Sequence, residues 1–358
     1  MNKIYQKLVI KLGSNVLTRP DGHLDITNIS HLVDQMVALK QAGTKIVLVS
    51  SGAVAAGRSL LPHADRLDDV IRRQMLSSIG QVRLMELYRQ FFESHQILCG
   101  QVLATKEDFR DRKHYLYMRN CFEALLDDRI IPIVNENDVI SVTELMFTDN
   151  DELAGLVAAM INADALIILS TVDGLYAGSP DDPDAQLIET IDADDESVFD
   201  FIAPVKSSFG RGGMATKIRM AQQTAKLGAD VILANGRSKN ILPQILTGKG
   251  HCTRIKAKEN VSSIKKWIAL HPKTKGTLHI NNGALNALSN PKNISSLLPI
   301  GLTAIKGNFK KGDIIDIVDP ENNKIGVGMA QYDATEAIRL LGLKGQKPVI
   351  HYDYLMVF

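Results

Sequence analysis

The chain has 358 residues, more than one core usually serves, and its 45% hydrophobic content is ordinary for a globular protein. With 41 basic and 40 acidic residues the formal net charge is +1, which excludes a global pull toward nucleic acid or a membrane surface. Cys99, Cys121 and Cys252 are widely spaced, with no metal-ligand or CxxC pattern, and point to a reducing, cytoplasmic setting.

The first apolar run, Leu8-Val9-Ile10, is broken by Lys11, so it predicts a strand over 8–12 and not a secretory h-region. Further short apolar runs at 45–49, 97–103, 130–134, 165–169 and 230–233 have the length and β-branched content of buried, mostly parallel strands. Helical patterns lie between them. Ile29, Leu32, Val33, Met36, Val37 and Leu39 recur at helical spacing, with Gly43 as the stop. Segments 70–93, 115–126, 153–160 and 214–227 also predict helices, the last ending at Gly228. The apolar stretch 153–172 carries Asn162 and Asp164, and so predicts a helix then a strand, not a membrane span. This alternation predicts an α/β three-layer sandwich with ligands at the carboxyl ends of its strands.

After about residue 255 the pattern changes. A polar, lysine-rich stretch is followed by short strand patterns at 277–280, 303–305, 313–318, 325–331 and 349–357, with one helix at about 334–341. Asn281-Asn282-Gly283 and Glu321-Asn322-Asn323 carry turn chemistry. The expected organisation is a catalytic domain over 1–258, a linker over 259–273 and a β-rich module over 274–358.

Two glycine-lysine elements carry the chemistry. Lys11-Leu12-Gly13-Ser14-Asn15 ends the first strand, and Gly210-Arg211-Gly212-Gly213-Met214-Ala215-Thr216-Lys217 opens a helix. Glycines let backbone amides approach an anion, and a helix N-terminus favours one. Two such elements about 200 residues apart suggest two clamps on one polyphosphate, although no GxxxxGK[ST] loop is present. Ser50-Ser51-Gly52-Ala53 follows the second strand with small side chains that expose amides to a carboxylate or phosphate. Asn135-Glu136-Asn137-Asp138 follows the fourth with groups suited to a small zwitterion. In Thr148-Asp149-Asn150-Asp151, helix capping accounts for one polar residue and not for all.

These blocks, in this order, resemble the amino acid kinase family across the first domain. The segment around Leu298-Pro299-Ile300-Gly301 and Gly307-Asn308-Phe309-Lys310-Lys311-Gly312-Asp313 resembles a PUA domain, a small β-barrel. The pairing is characteristic of the branch of the family that acts on free glutamate. The resemblance implies ATP-dependent phosphorylation of the side-chain carboxylate of L-glutamate to L-glutamyl 5-phosphate, the first step of proline biosynthesis. It places Lys11 and Lys217 beside the transferred phosphoryl group with Asp151 holding both. Ser51, Gly52, Asn135, Asp138, Asp149 and Asn150 would bind glutamate. Gly13, Ser170, Thr171 and the run Arg211, Gly212, Gly213, Met214, Ala215, Thr216 would join the two lysines on ATP. Mg2+ would be held mainly by the ATP phosphates, with no protein metal site. Also implied are inhibition by proline in the glutamate pocket, a homodimer or homotetramer, and a glutamyl phosphate reductase as partner.

Three positions depart from the family pattern. Ser170-Thr171 stands where Thr-Asp is common, Arg211 where Thr is common, and Asn15 replaces a small hydroxyl residue; all three bear on nucleotide binding. Another carboxylate or carbamate kinase, such as an acetylglutamate kinase, is the neighbouring reading, and the C-terminal module argues against it. RNA binding through that module is a third. Residues 273–358 carry only ten basic and seven acidic residues, so strong RNA binding is not expected.

Overall fold

The computed structural model describes residues 5–61, 68–141, 147, 149–179, 182, 184–202, 213–258, 274–289 and 295–357. The chain divides into two compact units, Met1–Asn260 and Val261–Phe358. The expected linker 259–273 lies outside the described residues.

The first unit begins with β1 (Lys7–Leu12), the four-residue helix α1 (Ser14–Leu17), α2 (Ile26–Gln41), β2 (Lys45–Ser50) and α3 (Ala53–Leu60). It continues through α4 (Asp69–Glu93), β3 (Cys99–Ala104), α5 (Lys106–Arg110), α6 (Arg112–Asp127), β4 (Ile131–Glu136), α7 (Asn150–Met160) and β5 (Ala165–Ser170). The short strands β6 (Leu175–Ala177), β7 (Gln186–Ile188) and β8 (Thr190–Ile191) precede α8 (Met214–Lys226), β9 (Asp230–Asn235), α9 (Ile241–Leu246) and β10 (Cys252–Ile255). Eight strands form one sheet in the order β3-β4-β2-β1-β5-β9-β10-β8. The pairs from β3 to β9 are parallel; β10 runs antiparallel to β9. All six predicted strands are present, and the central ones are buried along their length: Leu8, Val9, Ile10 and Leu12 of β1 have no exposed surface, while β3, at the sheet edge, is partly exposed.

Alternation along β1 decides what each side chain meets. Leu8, Ile10 and Leu12 join a core with α2, α4 and α9 on one face. Val9 and Lys11 therefore point to the other face, where α7 packs across β1 and α8 packs on α7. Burying each aliphatic side chain is worth ~1.5–3 kcal/mol, so a register slip that put Lys11 on the α2 face would be prohibitive. Helix ends match their sequence signals. Asp25 caps α2 by accepting from the Asn28 amide at 3.1 Å, and Gly43, at φ +96°, ends it. Gly80 on α4 lies so close to α3 that a β-carbon there would sit 1.7 Å from the Ala53 carbonyl oxygen.

The second unit is a five-stranded sheet in the order β12-β11-β13-β14-β15, formed by Gly276–Ile280 (β11), Leu302–Gly307 (β12), Ile314–Val318 (β13), Lys324–Met329 (β14) and Leu355–Val357 (β15). A helix spans Ala334–Leu340, as expected. Two expectations need correction. Asn281-Asn282-Gly283 is not a turn: Asn281 accepts from the Ala284 amide at 2.8 Å and caps a helix over Asn282–Leu288. The predicted strand 349–357 is a strand only at Leu355–Val357, because Ile350 makes a single bridge with Leu297 and Tyr352–Tyr354 turn as a 3-10 helix. No described helix is long and apolar enough to cross a membrane.

Candidate active site

The carboxyl ends of β1, β2, β4 and β5 open on a cavity of about 770 Å³ whose other walls are the starts of α3, α7 and α8. This is the crevice where ligands bind in open parallel sheets. Lys11 enters it from β1. Directly across, the first turn of α7 presents Asp151, whose side chain is 1% exposed. Lys11 Nζ lies 2.6 Å from Asp151 Oδ1, and Lys217 Nζ from α8 donates to Asp151 Oδ2. Burial by itself would push the Asp151 carboxyl up, but the two ammonium groups hold it well below the usual carboxylate range. Burial lowers both lysines. Lys11 also feels Lys217 and stays below its ordinary value; Lys217, facing Asp151 and Asp149, ends above its own. In the triad two lysines share one carboxylate.

Asp149 is the N-cap of α7, accepting from the amides of Asp151 at 2.9 Å and Glu152 at 3.2 Å. Burial and the neighbouring Asp151 push its carboxyl up. Asn150 donates to Ser51 Oγ at 2.9 Å and to Asn135 Oδ1 at 3.0 Å, which ties the ends of β2 and β4 to α7. The Glu136 amide also donates to Asn135 Oδ1, so the Asn135 amide group turns its nitrogen to Gln81 Oε1, 3.0 Å away on α4. Gly52 takes φ +101° as it caps α3, a conformation that favours glycine.

The cavity gathers Lys11, Gly13, Ser51, Gly52, Asn135, Asp138, Asp149, Asn150, Asp151, Ser170, Thr171, Gly213, Met214 and Lys217. Ala215 and Thr216 do not line it. Helical periodicity turns Gly213, Met214 and Lys217 to one side of α8 and these two away. Arg211, Gly212 and Thr148 lie outside the described residues. Of the departures noted in the sequence, Asn15 and Thr171 both line the cavity. Ser170 Oγ folds back to the Val172 carbonyl at 3.0 Å.

Sequence reasoning passed over several lining residues. Arg237, just past β9, donates from Nη2 to the carbonyls of Asn15 at 2.8 Å and Thr18 at 2.9 Å, tying α1, which follows the first glycine turn, to the end of β9. Arg58 on α3 and Arg73 on α4 also reach the cavity, and Arg73 bonds to Glu136 and Asp138. None sits in a motif; each is an arginine in a helix or loop whose partner is set only by the fold. Among the described residues no cluster of three or more His, Cys, Asp or Glu side chains is placed to hold a metal ion.

A buried Lys–Asp–Lys triad at the strand ends of a parallel sheet, with helix N-termini around it, is a site for handling phosphoryl groups. The chain matches the amino acid kinase family over residues 6–235 and the PUA domain over 276–352, and it belongs to the amino acid kinase family. Its fold is shared by the carbamate kinase from Giardia lamblia bound to AMP-PNP, at 21% identity and a TM-score of 0.53 over 71% of this chain and 99% of that one. The UMP kinase from Ureaplasma parvum matches at 14% identity and a TM-score of 0.50, over 71% of this chain and 100% of the other. Much nearer in sequence are enzymes named glutamate 5-kinase. The Bacteroides thetaiotaomicron protein is 49% identical over the full length of both chains. The one from Chlorobaculum tepidum is 47% identical over 98% of this chain and 97% of its own, and that from Pseudomonas fluorescens 38% over 98% of each.

Proposed function

We infer that this chain is a glutamate 5-kinase, transferring the γ-phosphoryl group of ATP to the side-chain carboxylate of L-glutamate to give L-glutamyl 5-phosphate, the step that opens proline biosynthesis. The observation that carries the reading is the Lys11–Asp151–Lys217 triad, set in a cavity that also holds the Asn135–Asp138 loop. The nucleophile is ionised at pH 7, since a glutamate side chain titrates at about 4.3. No general base is therefore required. The obstacle is the approach of two anions, and the two lysines offset that charge as the carboxylate oxygen bonds to Pγ and ADP departs. Asp151 keeps both ammonium groups aimed without adding a free negative charge.

The site divides into two ends. Gly13, Ser170, Thr171 and the start of α8 take the nucleotide, with Lys11 and Lys217 at the transferred group. Ser51, Gly52, Asn135, Asp138, Asp149 and Asn150 surround the amino acid. Both Asp151 oxygens are engaged by lysines, so Mg2+ travels on the ATP phosphates. Residues 1–258 form the catalytic domain and 274–358 the PUA domain, joined by 259–273. Proline inhibits by occupying the amino-acid end, and a glutamyl phosphate reductase takes up the labile product in the cytoplasm. The chain assembles as a homodimer or homotetramer. Support for assembly comes from the edge strand β3, beside which Leu98 is 68% exposed, and from Val82 on α4, 72% exposed. The PUA domain does not hold RNA strongly.

The test is ATP turnover with L-glutamate, N-acetylglutamate, aspartate and carbamate in turn, trapping acyl phosphate with hydroxylamine. Hydroxamate from L-glutamate alone, suppressed by proline and lost in Lys217→Ala, is the expected result. Product from N-acetylglutamate instead would overturn the amino-acid end and leave the phosphate end standing.

A further inference from the structure

Arg73 stands on α4 about one turn from its start and lines the cavity. Its Nη2 donates to Glu136 Oε2 at 3.2 Å and to Asp138 Oδ1. The two carboxylates are themselves buried, with side chains 7% and 9% exposed. Glu136 spends its other oxygen on the Phe147 amide at 3.0 Å, just ahead of the Asp149–Asp151 stretch. Next to Arg73, Gln74 donates to the Val139 carbonyl at 2.7 Å, so α4 grips the loop on both sides of Asp138.

Charge follows from this geometry. Two carboxylates that close repel, and burial of both without a cation would force one to take up a proton. The Arg73 guanidinium, bonded to both, offsets that repulsion. Elsewhere in the cavity Lys11 and Lys217 face Asp151. The acidic side chains held by Arg73 suit an ammonium group, and the two lysines suit anions in transfer.

We propose that Arg73 is a specificity-determining positioning residue, which balances Glu136 against Asp138 and aims Asp138 at the substrate's ammonium group. The proposal rests on the reading of the cavity as a glutamate site. Arg73 does not touch the reacting carboxylate, so its influence falls on recognition of the amino group and not on the transfer step.

The experiment compares L-glutamate with glutarate, the same diacid without the amino group, as a competitive inhibitor. The quantity read is the glutarate inhibition constant divided by the L-glutamate KM, in the wild type and in Arg73→Gln, Arg73→Lys and Asp138→Asn. Losing a hydrogen bond to a charged group is worth ~10- to 100-fold in binding. For Arg73→Gln the glutamate KM should rise by about that factor while the glutarate constant, the ATP KM and kcat stay near wild type, so the ratio collapses. Arg73→Lys keeps the charge and one bond, and should restore most of the ratio; it also carries the test if the glutamine variant does not fold. A ratio unchanged in Arg73→Gln, or glutamate and glutarate weakened alike, would overturn the proposal, since a merely structural residue moves both. Asp138→Asn separates the two ideas. If it leaves the ratio intact, the glutamate-site reading fails on its own account; if it collapses the ratio while Arg73→Gln does not, only the role of Arg73 is lost.

Discussion

Replacing Asp151 with asparagine removes one charge and almost no volume, and it isolates what the carboxylate does for its two lysines. In the wild type both Asp151 oxygens face ammonium groups, and the side chain is 1% exposed. The variant leaves two cations confined together. At ~5 Å and an effective dielectric of ~20, their repulsion is about 3 kcal/mol. Breaking one side of a buried ion pair costs ~3–5 kcal/mol in general. A ceiling exists, because Lys11 can shed its proton. Doing so at pH 7 forfeits about 1.4 kcal/mol for each unit below ~10.4, or roughly 5 kcal/mol. The expected loss of stability is therefore ~3–5 kcal/mol at pH 7.

The pH dependence has a definite sign. Lys11 already sits below its ordinary value through burial and Lys217, and loss of the carboxylate lowers it further. Between its folded and unfolded values the unfolded chain binds more protons, so stability of the variant rises with pH. The deficit against wild type should shrink from pH 7 to about 9.5. On the acid side, Asp151 stabilises the wild type fully above the ordinary carboxylate value, and that contribution fades as pH falls through its depressed folded value. Urea unfolding followed by circular dichroism at each pH measures the deficit, and hydroxamate trapping measures kcat. Turnover should drop ~100- to 1,000-fold, the usual effect of losing one aimed electrostatic group. The KM for ATP should change less than kcat, since Lys217 and the backbone amides at the start of α8 still attract polyphosphate. A variant within about 1 kcal/mol of wild type, with kcat within threefold, would refute the argument that Asp151 holds the lysines together.

Two other substitutions probe the scaffold around the site. Gly80→Ala drives a methyl group to 1.7 Å from the Ala53 carbonyl oxygen and 2.4 Å from the Gly57 amide nitrogen, with α3 backbone that cannot swing aside. A destabilisation of ~1–3 kcal/mol or more should lower the Tm by several degrees in a thermal melt, and an unchanged Tm would contradict the packing. Arg237→Ala removes two hydrogen bonds to the Asn15 and Thr18 carbonyls. At ~1 kcal/mol each, initial-rate kinetics should show the ATP KM rising several-fold to about 30-fold with the glutamate KM unmoved; equal changes in both would place Arg237 outside the nucleotide end.

What was legible in the sequence was whatever had a local physical cause. The apolar runs of β1, β2, β4, β5 and β9 became strands because short runs rich in Val, Ile and Leu pack well in a sheet covered on both faces; 97–103, with Gly100 and Gln101, became the partly exposed edge strand β3. Asp25 and Gly43 bracket α2 by chemistry that acts within one turn. Asn281 misled for the same local reason, since an asparagine side chain that accepts an amide two or three residues on serves equally in a turn and at a helix N-cap. In 349–357 alternating apolar character was present, but the backbone pairs with Leu297 and turns at Tyr352–Tyr354 before it can extend.

The site divides along the same line. Lys11, Asp151 and Lys217 stood out because each adjoins a glycine turn or a helix start, and strand parity then sends Lys11 to the α7 face, where Asp151 and Lys217 meet it. Arg73 and Arg237 left no such mark. Their partners lie 63 and 222 residues away, at the end of β4 and in α1, and are brought near only by the sheet order. A motif can announce where a phosphate is held, because backbone amides at a turn are a local arrangement. The balance of charge across the cavity is a property of the closed fold. For that reason the residues that set the balance, Arg73 above all, are the ones to vary when asking how this enzyme tells an amino acid from a plain diacid.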